Sequence, residues 1–257
     1  PEAGRNGFAT DFVQVCQKVS EQSRRSTPEM AGLEKKDGSY AAAIEKLMPE
    51  SNWNAKEPGA EVVKAMDVLE RSLGADHSDL IATIEALVAK HHWTGSQNSR
   101  HLQPVIETLV RARTKQFGAD HPEVADAQIM LGRHHEYHGE WSEAISALRQ
   151  AADIRGRVFG SESAQRANAL GMEGNLLTHV KKYAEAEPVL QEALQIFEKR
   201  FMASRNADSA AVMASLSEVL LHTNKRADAT SLILRTIDNA GSLPDSQVTL
   251  YKAVKML

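Results

Sequence analysis

The chain has 257 residues, enough for one or two ordinary domains or for one elongated array. Its 34 acidic and 30 basic residues leave a net charge of −4, which excludes an electrostatic coat for nucleic acid, and its single cysteine, Cys16, excludes an internal disulfide. Hydrophobic residues make up 42% and aromatics only 5%, so the apolar content is mostly Ala, Leu, Val, Ile and Met, the composition of packed helices.

The chain opens at Pro1 with neither an initiator Met nor a charged-then-apolar leader, which reads as a truncated or processed N-terminus. Residues 8–26 carry Phe12, Val15, Cys16 and Val19 at helical spacing and predict an amphipathic leading helix. Counting one period back from Ile84 and Leu87 makes Ser39–Met48 and Gly59–Leu73 a hairpin, with Pro49–Gly59 an irregular insertion between them. The alternative aligns Gly38-Ser-Tyr40-Ala-Ala-Ala43 with the turn marker described below. The first alignment is preferred because a helix must end at Leu73-Gly74. The best apolar run, Leu80 to Ala89, carries Glu85 and falls short of the roughly 18–20 residues that span a bilayer, so a cytoplasmic protein without membrane insertion is expected.

From there the sequence repeats. Arg71-Ser-Leu-Gly-Ala-Asp-His-Ser78, Lys115-Gln-Phe-Gly-Ala-Asp-His-Pro122 and Arg157-Val-Phe-Gly-Ser-Glu-Ser163 place their glycines, Gly74, Gly118 and Gly160, 44 and 42 residues apart. A fourth copy, Lys199-Arg-Phe-Met-Ala-Ser-Arg-Asn206, lacks the glycine but keeps the aromatic 42 residues on, Phe159 to Phe201. Half a period away lies a second marker, in Gly139-Glu-Trp-Ser-Glu-Ala144, Lys181-Lys-Tyr-Ala-Glu-Ala186 and Asn224-Lys-Arg-Ala-Asp-Ala229. Between the markers, apolar residues recur at helical spacing, as in Val124, Ile129, Leu131 and Ile145, Leu148, Ala152. Each unit is therefore a helix, a short turn, a helix and a longer loop. Gly74, Gly118 and Gly160 sit where a helix C-terminus takes positive φ; Asp120 or His121 before Pro122 and Glu123 suits a helix entry. Ala144, Ala186 and Ala229 fall where two helices of a hairpin cross. Leu243–Leu257, with Leu250, Val254 and Leu257 on one face, predicts a closing helix of the kind a stacked array needs at its end.

The best copy, Leu131-Gly132-x-x-His135-x-x-x-Gly139-x-Trp141-x-x-Ala144-x-x-x-Leu148-x-x-Ala151, resembles the tetratricopeptide repeat, with His135 in a position usually aromatic. The 42-residue spacing and the Gly-Ala-Asp-His-Pro loop resemble the kinesin-light-chain-like subtype. The resemblance covers roughly residues 60–240. It implies an all-α fold, a right-handed superhelical solenoid of helix-turn-helix repeats. Residues 1–58 would be an N-terminal helical cap, with or without a degenerate repeat, 59–240 the array and 241–257 the capping helix. Three departures stand out: Glu173 occupies a position usually Leu, Arg226 replaces the turn aromatic, and Gln103-Pro104 is expected to interrupt a second helix near its start.

In such an array the first helices line the concave side, so the candidate groove positions can be read off unit by unit. One column is Trp93, Tyr137, His179 and His222; its neighbour is Ala89, Arg133, Asn175 and Glu218, flanked by His92, Glu136 and Thr178. Rings, amides and guanidinium suit an extended peptide segment, which needs surfaces to stack on and partners for its backbone and charges. Asn175 matches one position of the carboxylate clamp of chaperone-tail-binding tetratricopeptide domains, but Gly171 and Ala214 stand where polar partners are wanted, which disfavours that clamp.

Other chemistries fare worse. His134 and His138 are four apart beside His135, with His91-His92 one unit earlier, yet no third ligand completes a metal site, and His135 fills a core position. No nucleophile elbow, phosphate loop or His-Glu-x-x-His is present, so no cofactor, metal or catalytic residue is expected. The basic clusters Arg111-x-Arg113-x-Lys115, Arg155-x-Arg157 and Lys199-Arg200 lie in final helical turns, where the helix dipole favours cations, and do not indicate nucleic acid. The sequence thus points to a non-catalytic module that binds a protein or peptide partner. Its rivals are a self-assembling scaffold and the regulatory or sensor part of a longer multidomain protein; the oligomeric state is left open.

Overall fold

The computed structural model describes residues 60–92, 102–201 and 207–240. The leading helix, the hairpin partner Ser39–Met48, the insertion before Gly59, Trp93 and the closing helix lie outside the described residues. Among the described residues the protein is all-α, with nine helices: α1 (Ala60–Leu73), α2 (Ser78–His92), α3 (Gln103–Phe117), α4 (Pro122–Tyr137), α5 (Trp141–Phe159), α6 (Ala164–His179), α7 (Tyr183–Phe201), α8 (Ala207–His222) and α9 (Arg226–Ala240). The chain divides into two compact units, Pro1–Ala119 and Asp120–Leu257.

In the first unit α1, α2 and α3 pack on one another around Met66, Leu69, Leu80, Ile84, Leu87 and Ile106, all fully buried. α3 starts at Gln103 with Pro104 in its first turn, so the Gln103-Pro104 pair opens this helix and does not interrupt it. A proline there loses nothing, because the first-turn N–H groups have no helical partner and its fixed φ already suits the helix.

The second unit is three antiparallel hairpins, α4–α5, α6–α7 and α8–α9, each second helix also packing on the next first helix. α6 and α8 pack directly side by side, so the first helices form one layer and the second helices the other. Each hairpin closes on small residues. Ala144, Ala186 and Ala229 are fully buried at the crossings. A Cβ on Gly132 would come 3.0 Å from Leu148 Cγ, and one on Gly174 only 2.4 Å from Leu190 Cδ2, so these glycines let the partner leucine reach the helix backbone. In the last hairpin buried Ser217 takes the equivalent place, its hydroxyl donating to the Met213 carbonyl at 2.7 Å. Leu148, Leu177, Leu190 and Phe197 complete the core, each contributing roughly 1.5–3 kcal/mol on burial.

The loop and turn markers have local causes. Gly74, Gly118 and Gly160 adopt φ of 96°, 87° and 94°, ending α1, α3 and α5 as expected. His121 then caps α4, its Nδ1 accepting from the Glu123 N–H at 3.3 Å; His77 does the same for α2 through Asp79, and Ser163 for α6 through Arg166. In the short turn, Gly139 has φ 74°, and the equivalent Lys181 and Asn224 both have φ 63°. The next residue, Glu140, Lys182 or Lys225, donates its N–H to the carbonyl five positions back, the bond that closes a left-handed helix end.

Candidate partner-binding face

The first-helix layer of the second unit presents equivalent positions of α4, α6 and α8 in columns. Arg133, Asn175 and Glu218 form one column; Tyr137, His179 and His222, the last residues of their helices, form the other. Arg133 and Glu136 are exposed, Asn175 and Glu218 half-buried, and Tyr137 is 51% exposed. His92 ends α2 in the first unit.

The histidine column turns out to have ring partners from the second-helix layer. Trp141, the first residue of α5, lies 5.3 Å from His179 between ring centroids, and Tyr183, the first residue of α7, lies 4.4 Å from His222 with the rings 9° from parallel. Each pair joins the turn of one hairpin to the first helix of the next. His179 and His222 therefore clasp adjacent hairpins while remaining exposed. Trp141 and Tyr183 are site residues the column reading missed; the signal was the 42-residue recurrence of a turn aromatic beside a histidine recurring 43 residues apart.

Asn175 differs from its neighbours. Its Oδ1 is buried and accepts no hydrogen bond among the described residues, an arrangement that leaves an amide group in need of a donor. Gly171, one turn earlier, is buried so tightly that a Cβ would come 2.8 Å from Val212 Cγ2, and Ala214 is also buried. Neither buried position carries the polar side chain that a chaperone-tail clamp needs.

Glu173, the departure from Leu, is 2% exposed on α6 and accepts from Arg149 of α5 at 2.8 Å. Burial pushes its carboxyl above the usual carboxylate range against the pull of Arg149. Arg155 ties the same junction at its loop end, donating to Asp126 of α4 at 2.8 Å and to Asn168 of α6 at 3.3 Å. His135 is buried, as its core position implies, with Nδ1 2.7 Å from Glu140 Oε2.

The basic clusters are bound up in closing the hairpins. Lys115, Arg157 and Lys199 reach Asp76, Asp120 and Glu162 at 3.3, 2.7 and 2.6 Å. In each case the cation ends the second helix and the acid precedes the first helix of the same hairpin. A backbone N–H and Lys115 hold Asp76 below the usual carboxylate range, and Lys199 holds Glu162 there. Arg111 and Arg113 pair with Glu70 and Glu85.

A layered stack of helical hairpins with a 42-residue period and a glycine-alanine crossing defines a helical repeat protein. The two hairpins at residues 124–165 and 166–201 match the family model of the tetratricopeptide repeat. No curated protein sequence matches the chain. Among solved structures, Podosopora anserina kinesin light chain nearly identical TPR-like repeats match at a TM-score of 0.55 and 18% identity, over 82% of this chain and 99% of that one. The Q17M form of those repeats matches at 0.55 and 16%, over 90% and 93%. Residues 124–201 are thus two tetratricopeptide repeats, and the chain shares the fold of the kinesin-light-chain-like repeats. That fold is typical of protein-interaction modules and is generally a non-catalytic scaffold. No helix among the described residues is long and apolar enough to cross a membrane.

Proposed function

We propose that the chain is a protein-interaction module that holds an extended segment of a partner along the open face of its first-helix layer, with residues 59–240 as the binding array and residues 1–58 and 241–257 as its end pieces. The observation that carries this reading is the pair of columns on successive first helices, exposed Tyr137, His179 and His222 beside Arg133 and Glu218, with the half-buried side chain of Asn175. Tyr137, Trp141, His179 and His222 add ring faces beside it, and Arg133, Glu136 and Glu218 add charge. His92 and Trp93 are the candidates that the sequence repeat assigns to the first unit.

The test is affinity capture of the partner from the native source, identified by mass spectrometry and then measured with purified components. Tyr137→Ala with Asn175→Ala should abolish binding while the helical circular dichroism and melting temperature stay within the range of the parent. Unchanged binding by a folded double variant would remove the face from consideration.

A further inference from the structure

The Arg133, Asn175 and Glu218 column holds three equivalent positions with three different chemistries: a cation, an amide and an anion. Most charged side chains of the second unit are spoken for. Arg149 pairs with Glu173, Arg155 with Asp126, Arg157 with Asp120, Arg166 with Glu192, and Arg235 with Glu198. Lys182, Lys199 and Lys225 pair with Glu185, Glu162 and Glu187. Arg133 and Glu218 are among those that make no ion pair or side-chain hydrogen bond among the described residues, as is Glu136 beside Arg133, and they are the two charges that stand in this column. Glu218 is moreover half-buried, where an unpaired carboxylate gives up part of its hydration. Two opposite unpaired charges thus stand at the ends of the column, with the half-buried Asn175 between them.

Resting on the proposed binding face, we infer that the partner segment is a charge-polar extended strand, with an acidic side chain over Arg133 and a basic side chain over Glu218. Packed helices lie about 8–10 Å apart, so two hairpin steps separate the charges by roughly 16–20 Å. An extended chain advances about 3.3 Å per residue, which places the acid and the base about five or six residues apart, with its midpoint over Asn175. A helix advances only about 1.5 Å per residue and would need eleven or more. The complementary charges fix the direction in which the segment lies, the main contribution of such pairs to recognition.

The probe is a set of capped synthetic peptides of Gly, Ser and Thr carrying one Asp and one Lys, two to nine residues apart in either order, with neutral, doubly acidic and doubly basic controls. Binding to the full chain is read by fluorescence anisotropy at low salt. Affinity should peak at a separation of five or six, in one order only, and exceed the controls about threefold to tenfold. Arg133→Glu with Glu218→Lys should invert the preferred order; Arg133→Gln and Glu218→Gln should flatten it without loss of helical circular dichroism. Binding that is indifferent to order and to all these substitutions, yet still lost in Asn175→Ala, would overturn the charge inference and leave the binding face standing. Absence of binding by every peptide would overturn both.

Discussion

The ring of Tyr183 stacks on that of His222, 4.4 Å away and 9° from parallel, and so links the turn of the α6–α7 hairpin to the end of α8. Trp141 and His179 make the equivalent contact one hairpin earlier with a more tilted geometry, 59° between planes at 5.3 Å. The turn edge of each junction in the second unit is therefore held by an aromatic clasp; elsewhere the same junctions rely on ion pairs, Arg149 with Glu173 in one and Arg235 with Glu198 in the other. Such ring pairs contribute about 0.5–1.5 kcal/mol beyond their buried area. A double-mutant cycle of Tyr183→Leu and His222→Ala, read by urea unfolding, is expected to return a coupling energy in that range. A coupling near zero would mean that the stack is incidental.

The short turns supply a stabilising change. Gly139, Lys181 and Asn224 occupy the same left-handed position, with φ of 74°, 63° and 63°. A lysine has a Cβ that this conformation crowds, whereas glycine does not. Lys181→Gly is predicted to raise stability by about 0.5–1 kcal/mol, and Asn224→Gly by less, since asparagine tolerates the region. Gly139→Ala should move in the opposite direction. Thermal melts of the three variants check the order; a destabilised Lys181→Gly would refute the assignment of strain.

The two crossing glycines separate helix propensity from packing. Replacing glycine by alanine inside a helix gains about 0.5–1 kcal/mol of propensity. At Gly132 the added Cβ meets Leu148 at 3.0 Å, so a small adjustment absorbs most of that gain. At Gly174 the Cβ would meet two Leu190 carbons at 2.4 and 2.5 Å, and overpacking of that kind costs about 1–3 kcal/mol. Gly174→Ala is expected to be clearly destabilising and Gly132→Ala close to neutral. Adding Leu190→Val should recover part of the Gly174→Ala loss, which equilibrium unfolding of the double variant would show.

Much of this fold could be read from the sequence because its markers act locally. The positive φ of Gly118 and Gly160, the capping role of His121 and the burial of Ala144 follow from residues within one turn of each site. Pro104 was misjudged for lack of a helix boundary: the same residue breaks a helix interior and suits a first turn. The pairs that close the hairpins, Asp120 with Arg157 and Glu162 with Lys199, recur at a fixed separation of 37 residues, so they were present in the sequence but overshadowed by the helix-dipole explanation of the same cations. Glu173 with Arg149 could not be read this way. The equivalent of Glu173 one hairpin earlier is Leu131, so no second copy exists to reveal the pairing. The ring clasps were missed because Trp141 and His179 belong to different layers, and the columns were drawn along one layer only.

Glu173 makes the fold respond to pH in a direction opposite to most buried carboxylates in ion pairs. Its folded-state pKa is raised above the unfolded value, chiefly by burial, with Asp153 and Glu185 adding to the rise and Arg149 opposing it. In the window between the ordinary glutamate value of about 4.3 and the raised folded one, the native state binds more protons than the unfolded state, so stability falls as pH rises through it. Above the window the full cost of the buried charge is present; below it the neutral acid carries none. Glu173→Gln keeps a hydrogen-bonding group of the same size for Arg149 without the charge. The variant should therefore melt higher than the parent at neutral pH, and the difference should close as the pH is lowered through the window. Asp76 and Glu162 are shifted the other way and lose their contribution on acidification, but both stay in both proteins and cancel in the comparison. A Glu173→Gln variant that melts lower than the parent at neutral pH would show that the pairing with Arg149 outweighs the desolvation of Glu173.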